Sequence, residues 1–227
     1  MSPPHLATTP VRIRGLSRAV LGSLLIVLLT GCAGIPGIYV VEQPRAAGEA
    51  EPGKFNADAY VEGIWASKVL PTVEADATPA ATLLPALLSD TEGTSKKYGR
   101  QAGTGSPYAF LVKGTGTVTE VDDNGAAGTI TVKVAGVDKT EVRIAIGPAI
   151  VSTAIRDAVG FIDFGQFVNQ IDYADAATAL NTKVKTTVVS AVDLTAIKGK
   201  KVTFSGAFQS LVPSAVTITP VTLEVAP

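Results

Sequence analysis

Cysteine and histidine are nearly missing from this sequence: its 227 residues contain one of each, Cys32 and His5. Aromatic residues make up 6% of the chain and charged residues 17%, whereas 46% of it is hydrophobic. That much apolar material is enough for a core, which excludes wholesale disorder. A single cysteine excludes any disulfide within the chain.

Net charge is also almost absent, but the charges are unevenly distributed. The chain carries 19 basic and 20 acidic residues, for a formal net charge of −1. Arg12, Arg14 and Arg18 fall within the first 31 residues, which contain no acid, so the rest of the chain has 16 basic and 20 acidic residues. A mildly acidic body lacks the basic stripe that binds phosphates, so no nucleic-acid partner is expected.

The N-terminal segment has the parts of a secretory signal. The three arginines precede an apolar run over residues 19–30, which leads into Leu29-Thr30-Gly31-Cys32. These four residues resemble the lipobox of bacterial lipoproteins, in which the cysteine thiol is joined to a diacylglycerol and the signal is cut before the cysteine. We therefore expect a signal peptide over residues 1–31 and a lipidated Cys32 that anchors an extracytoplasmic protein to the cell membrane.

Two other interpretations of this segment remain open. Residues 19–41 are uncharged and long enough to span a bilayer as an uncleaved helix, although Gly31, Gly34 and Pro36 interrupt them. Alternatively, Cys32 is a buried structural thiol.

Removal of the signal peptide would also remove His5, which has consequences for catalysis. The mature chain would have neither histidine nor free thiol, which excludes Ser-His-Asp and Cys-His nucleophilic sites and histidine-rich metal sites. Any catalysis would then rest on carboxylates, lysines, arginines or tyrosines. We expect no enzymatic activity, no cofactor and no metal.

Composition and periodicity divide the first half of the body into three parts. Residues 32–54 are rich in glycine, proline and alanine and are predicted to be a tether. Residues 55–106 are predicted to be a helical lead-in, with Asn56 as a cap and Pro71 as the end of its first helix. Residues 89–106 are predicted to be a loop.

Residues 107–227 alternate between apolar and polar positions in five segments. The apolar positions are Phe110, Val112 and Val118, then Ile130, Val132 and Val134, then Val142, Ile144 and Ile146, then Val202, Phe204 and Phe208, and finally Val216, Ile218, Val221, Leu223 and Val225. The last segment slips by one residue at Pro220, which predicts a bulge there.

Residues 149–198 interrupt the strands with a helical pattern. Gly160 is expected to end a first short helix, and Asp172 is expected to cap a second, amphipathic one. Three strands, a helical insertion and two strands are the order of the OB fold. We therefore predict a mainly β protein with α elements: a small OB-like five-stranded barrel, preceded by a helical subdomain.

Several stretches of the chain resemble a family of predicted periplasmic lipoproteins of unknown function, the domain of unknown function 2291 family. They are "FNADAYVEGIWASKVLP", "KYGRQAGTGSPYAFLVKGTGTV", "GPAIVSTAIRDAVGFIDFGQFVNQIDYADAATALN", "GKKVTFSGAF" and "ITPVTLEV". The resemblance implies an accessory role in sugar uptake, because the family is often encoded near carbohydrate ABC importers. The family has no assigned catalytic residues.

The helical insertion also concentrates side chains that could bind a ligand. The candidates are Arg156, Asp163, Asn169, Gln170, Tyr173 and Asn181. Amides, carboxylates, arginine and an aromatic platform are the groups that hold a sugar, since its hydroxyls need fixed partners. The same residues also suit a structural role as helix caps, surface ion pairs and partners for buried backbone groups. On the residues alone, that structural role is the commoner one.

Three hypotheses about function follow from these patterns. The favoured one is a non-catalytic lipoprotein that binds a partner or small solute at the membrane, with a sugar ABC transporter component or a sugar as its ligand. The second is a carboxylate-based hydrolase of sugars or cell wall, although no spacing of acids selects a pair. The third is a structural component of the envelope.

Overall fold

A computed structural model describes residues 54–123, 125–209 and 213–226. The chain divides into two compact units, Met1–Glu49 and Ala50–Pro227, and the described residues all belong to the second. The predicted signal peptide, Cys32 and all of the predicted tether except Lys54 lie outside the described residues.

The N-terminal part of the body is helical. Its elements are α1 (Ala57–Ile64), a π-helical turn (Trp65–Val69), α2 (Leu70–Asp76), α3 (Ala80–Ser89) and α4 (Thr91–Tyr98). Asn56 caps α1 as predicted, because its side chain accepts a hydrogen bond from the Ala59 N–H at 2.9 Å. Within the described part of the chain, no helix is both long enough and apolar enough to cross a membrane.

The first helix does not end at Pro71, where the sequence predicted its end. It continues to Asp76, and a π-helical turn precedes the proline. In that turn the Leu70 N–H bonds to the carbonyl of Trp65, five residues back. The wider π turn relieves the clash of the proline ring with the preceding turn, so Pro71 is tolerated at the start of α2.

The predicted loop over residues 89–106 is wrong in its first half. This part of the chain forms α4 and a short strand, Gly99–Arg100. Asp90 caps α4 by accepting a hydrogen bond from the Gly93 N–H at 2.9 Å, and Glu92 pairs with Lys96 one turn later. The segment lacks an apolar face, so its helix is stabilised by a cap and an i,i+4 pair that periodicity does not reveal.

The strands form a closed barrel, which confirms the predicted OB-like architecture. They are β1 (Thr78–Pro79), β2 (Gly99–Arg100), β3 (Ala109–Asp122), β4 (Thr129–Val134), β5 (Glu141–Ala145), β6 (Lys201–Gln209) and β7 (Ala215–Val225). The five long strands follow the order β3-β4-β5-β7-β6, and β6 pairs with β3 to close the barrel. The β5–β7 pair is parallel, and the short β1 and β2 extend the sheet beside β3.

The bulge predicted near Pro220 is present. Ser205 pairs with Thr222 and Gly206 pairs with Pro220, so Val221 is the extra residue on β7. The strands are so close here that a Cβ on Gly206 would lie 2.3 Å from the Thr219 carbonyl oxygen. Only glycine fits that approach, and the bulge restores the inward phase for Val221 and Leu223.

The predicted apolar positions fill the barrel interior. The largest fully buried barrel side chains are Phe110, Ile130, Ile144, Phe204, Phe208 and Ile218. Val225, at the end of β7, is the exception, because it is 37% exposed.

The insertion between β5 and β6 closes one end of this barrel. It contains α5 (Ala154–Val159), a 3₁₀ turn (Phe164–Gln166) and α6 (Gln170–Lys183), whose helical path runs on to Ala191. Gly160 ends α5 in the left-handed conformation at φ +75°, as its position predicted. The buried face of the second helix includes Ala177, Leu180 and Val184.

Candidate functional site

A crevice of about 550 Å³ lies where the helical insertion meets the ends of β6 and of the loop after β2. Three of the six predicted binding residues line it: Arg156, Gln170 and Tyr173. We call this cavity the crevice. Its position follows from the topology, because the insertion leaves the barrel after β5 and must fold back over the barrel end to reach β6.

A buried ion pair forms the floor of the crevice. The Arg156 Nε donates to Asp157 Oδ1 at 2.8 Å, and the two side chains are only 10% and 4% exposed. The other carboxylate oxygen of Asp157 accepts hydrogen bonds from Thr153 at 2.7 Å and from Gln209 at 2.8 Å. The floor is therefore a preorganised polar network that joins α5 to β6.

Tyr173 lies against this network and positions the arginine. The Arg156 guanidinium carbon is 3.7 Å from the centre of the Tyr173 ring, and Arg156 Nη1 donates to the Tyr173 carbonyl at 3.2 Å. Burial raises the pKa of the Tyr173 hydroxyl, and the positive charge of Arg156 opposes that rise in part. The hydroxyl therefore stays protonated at neutral pH and points its proton toward Asp157 at 3.4 Å.

Phe164 supplies an aromatic wall that sequence reasoning missed. Its ring packs edge-on against Tyr173 at 5.5 Å, yet Phe164 is 49% exposed and lines the crevice. Asp163 holds it there, because its side chain accepts a hydrogen bond from the Gly165 N–H at 2.8 Å and so starts the 3₁₀ turn. The irregular, aromatic-rich composition of this segment was the available signal.

The other predicted binding residues have structural partners. Asn169, not Asp172, caps α6: its side chain accepts a hydrogen bond from the Asp172 N–H at 2.9 Å. The Asn181 side chain is buried and donates to the Ser152 carbonyl at 2.8 Å. The Asp172 prediction was wrong because Asn169 and Asp172 both suit a cap, and spacing alone does not choose between them.

A second and larger cavity of about 1110 Å³ continues from the crevice along the outer face of β4, β5 and β7. We call it the groove. Thr153 and Gln209 line both cavities, so the polar network around Asp157 lies where the crevice meets the groove. The floor of the groove carries the exposed ion pair Arg143–Glu141 at 2.6 Å, and Asn181 lines its α6 wall. Alternation predicted these residues only as the outward face of the barrel.

No metal centre is evident in the described part of the chain. Residues 54–123, 125–209 and 213–226 contain no group of three or more histidine, cysteine, aspartate or glutamate side chains that could hold a metal ion. Asp157 is also the one carboxylate among the described residues that line the crevice.

Comparisons with known proteins agree on a family and a fold. A family model described as "Predicted periplasmic lipoprotein (DUF2291)" matches residues 24–224. The crystal structure of an OB-fold protein from Thermotoga maritima is similar, with a TM-score of 0.62 and 24% sequence identity. The similarity covers 76% of this chain and 99% of that one, and at this identity it shows the fold alone. No curated protein matches the chain.

Proposed function

The chain belongs to the family of predicted periplasmic lipoproteins, and from that premise we propose that it is a non-catalytic binding protein that serves carbohydrate import of the ABC class. It is an extracytoplasmic, lipid-anchored protein of a family without an established function. The link to carbohydrate import comes from the family resemblance, and the lining of the crevice supports the binding of a sugar.

The observation that carries this proposal is the pairing of a rigid polar floor with a half-exposed aromatic ring. Sugars are held by fixed donors and acceptors for their hydroxyls and by a ring on which their C–H face packs. Asp157 fixes the Arg156 and Gln209 side chains in place, so that their other N–H groups can serve as donors, and Phe164 provides the ring. Pockets of this kind, with a few convergent polar groups at a junction of elements, are where small molecules bind.

The chemistry of the crevice favours binding over hydrolysis. Glycoside hydrolysis ordinarily uses two carboxylates that flank the scissile bond, and among the described residues lining the crevice Asp157 stands alone. Asp157 also accepts hydrogen bonds from Arg156, Thr153 and Gln209. A carboxylate with its lone pairs so occupied is poorly placed to take a proton or attack a sugar.

Phe164→Ala should weaken sugar binding without unfolding the protein. We expect a loss of affinity of about tenfold or more. A nucleic-acid base stacked on an aromatic side chain contributes about 1–3 kcal/mol to binding, and the C–H face of a sugar packs on an aromatic ring in a similar way. The measurement is calorimetric titration of the full lipoprotein in detergent with a panel of neutral mono- and disaccharides. The thermal midpoint should barely move, because Phe164 is half-exposed.

Gln166→Ala is the matched control for that experiment. Gln166 belongs to the same exposed 3₁₀ turn, bonds to the Phe161 carbonyl and does not line the crevice. It should bind sugar as the native chain does. If no saccharide of the panel binds the native protein, or if both variants bind as well as it does, the crevice is not a sugar site.

Lipidation at Cys32 is the second test of the proposal. The intact mass of the mature protein should lack residues 1–31 and include two or three acyl chains, because the lipobox places the cut before the cysteine. Cys32→Ala should leave the signal uncut by the lipoprotein-specific peptidase. A mature protein that starts elsewhere, or that carries no lipid on Cys32, would contradict this assignment.

A further inference from the structure

Three apolar side chains project from one short segment of the helical insertion. Val168 is 94% exposed, Ile171 is 71% exposed and Phe164 is 49% exposed. We call these three residues the apolar patch. Single exposed apolar residues are ordinary on a protein surface, but a cluster of three within eight residues of sequence usually has a partner.

The patch lies beside the point where the chain enters the folded body. Phe55, one of the first described residues, packs edge-on against Phe167 with ring centres 5.3 Å apart. Phe167 directly precedes Val168, and its ring also packs against Tyr173 at 5.3 Å. Whatever course the preceding residues take, the polypeptide that leads toward Cys32 joins the body next to the apolar patch.

We propose that the apolar patch inserts into the headgroup region of the bilayer that holds the lipid anchor. The anchor keeps the body at the membrane, so a weak second contact forms at a high effective concentration. Val168 follows a 3₁₀ turn and Ile171 lies in the first turn of α6, and both side chains are mostly exposed, so they can enter a soft interface.

The charged residues near the apolar patch favour some binding partners of the patch over others. Asp163, Asp172 and Asp175 are its sequence neighbours, and none of the three forms an ion pair within the described residues. A second copy would bring these carboxylates against one another, which disfavours a symmetric dimer through this face. Anionic lipids would repel them as well, so the contact should be strongest with zwitterionic lipids and should weaken as anionic lipid is added at low salt.

A single introduced thiol tests this proposal. The sequence has no other cysteine than Cys32, whose thiol the proposed lipidation consumes, so Val168→Cys can be labelled with the environment-sensitive fluorophore NBD. The labelled protein is reconstituted into phosphatidylcholine vesicles that contain nitroxide-labelled lipid as quencher. Val225→Cys is the control, because Val225 is also partly exposed but pairs with Val202 at the opposite end of β6 from Gln209.

We expect quenching at position 168 to be several times that at position 225. Ile171→Asp, added to the Val168→Cys chain, should lower the quenching, whereas Val225→Asp added to it should not. Equal quenching at both labelled positions would overturn the proposal. A blue shift at position 168 that appears in native membranes but not in pure lipid vesicles would also overturn it, in favour of a membrane-protein partner with a basic rim.

The test of this inference is separate from the test of the sugar-binding proposal. Phe164 belongs to both the patch and the crevice, so the lipid experiment changes only Val168 and Ile171, neither of which lines the crevice. The lipid experiment can therefore fail while sugar binding stands, and the reverse is equally possible.

Discussion

Phe204→Ala is expected to destabilise the barrel by about 3–5 kcal/mol, as for other fully buried phenylalanines. The ring is 1% exposed and lies between β3, β7 and the start of α3. It fills the space above Gly114, since a Cβ on that glycine would lie 2.9 Å from the ring and 3.4 Å from the Ala80 methyl. Because Gly114 has no side chain that could move into the cavity, little relaxation is available to reduce the loss. The measurement is the free energy of unfolding in urea.

A double-mutant cycle with Gly114→Ala separates this packing from a general weakening of β6. In the native background the new methyl group overlaps the Phe204 ring and should destabilise the barrel by about 1–3 kcal/mol. In the Phe204→Ala background the same methyl enters the cavity, so its cost should fall or change sign. Simple additivity of the two changes would show that the ring does not occupy this space. A loss within about 0.5 kcal/mol for Phe204→Ala alone would show that the ring is exposed.

The barrel could be predicted from the sequence because each strand buries one face and exposes the other. Alternation with a period of two therefore identifies buried positions such as Ile130, Val132 and Val134, or Val142 and Ile144, even when the pairing of the strands is unknown. The slip at Pro220 was visible for the same reason, since an extra residue shifts the phase of everything after it.

The predictions of secondary structure were wrong for elements whose stability does not depend on burying an apolar face. The helix α4 is polar, and it forms because Asp90 caps it and Glu92 pairs with Lys96. The path through Pro71 depends on a π turn, and no pattern of apolar residues predicts i→i+5 hydrogen bonds. Both features are local hydrogen-bonding choices that compete within a fraction of a kcal/mol to about 1 kcal/mol, so sequence rules rank them poorly.

The sequence could predict which segment carries the candidate site, but not which of its side chains meet in space. Arg156, Gln170 and Tyr173 meet in the crevice, whereas Asn169 and Asn181 are occupied by a cap and a loop carbonyl. Gln209 and Thr153 lie 56 positions apart in the chain, and only the closure of the barrel brings them to the same carboxylate. The sequence did not predict the groove, because alternation identifies outward-facing strand residues as solvent-exposed whether or not a helix packs over them.

Asp157→Ala should cost about 3–5 kcal/mol of unfolding free energy, as other removals of one member of a buried ion pair do. Arg156 would keep its charge in a site where its side chain is only 10% exposed, and Thr153 and Gln209 would lose their shared acceptor. The Arg143–Glu141 pair on the barrel surface is the comparison. Its side chains are 43% and 41% exposed, so Glu141→Ala should cost at most about 1 kcal/mol and less in high salt.

A second substitution tests whether the unpaired buried charge causes that loss, because it either raises or lowers the free energy of unfolding. Asp157→Asn keeps an acceptor for Thr153 and Gln209 but leaves Arg156 without its counterion, so it should still destabilise the protein. Adding Arg156→Met removes the unpaired charge and retains an unbranched apolar side chain over the Tyr173 ring. The double variant should therefore be more stable than Asp157→Asn alone, and its deficit should not depend on salt. If Arg156→Met instead adds its own loss to that of Asp157→Asn, the arginine stabilises the fold through packing and hydrogen bonds, and the ion pair is not what holds the crevice floor together.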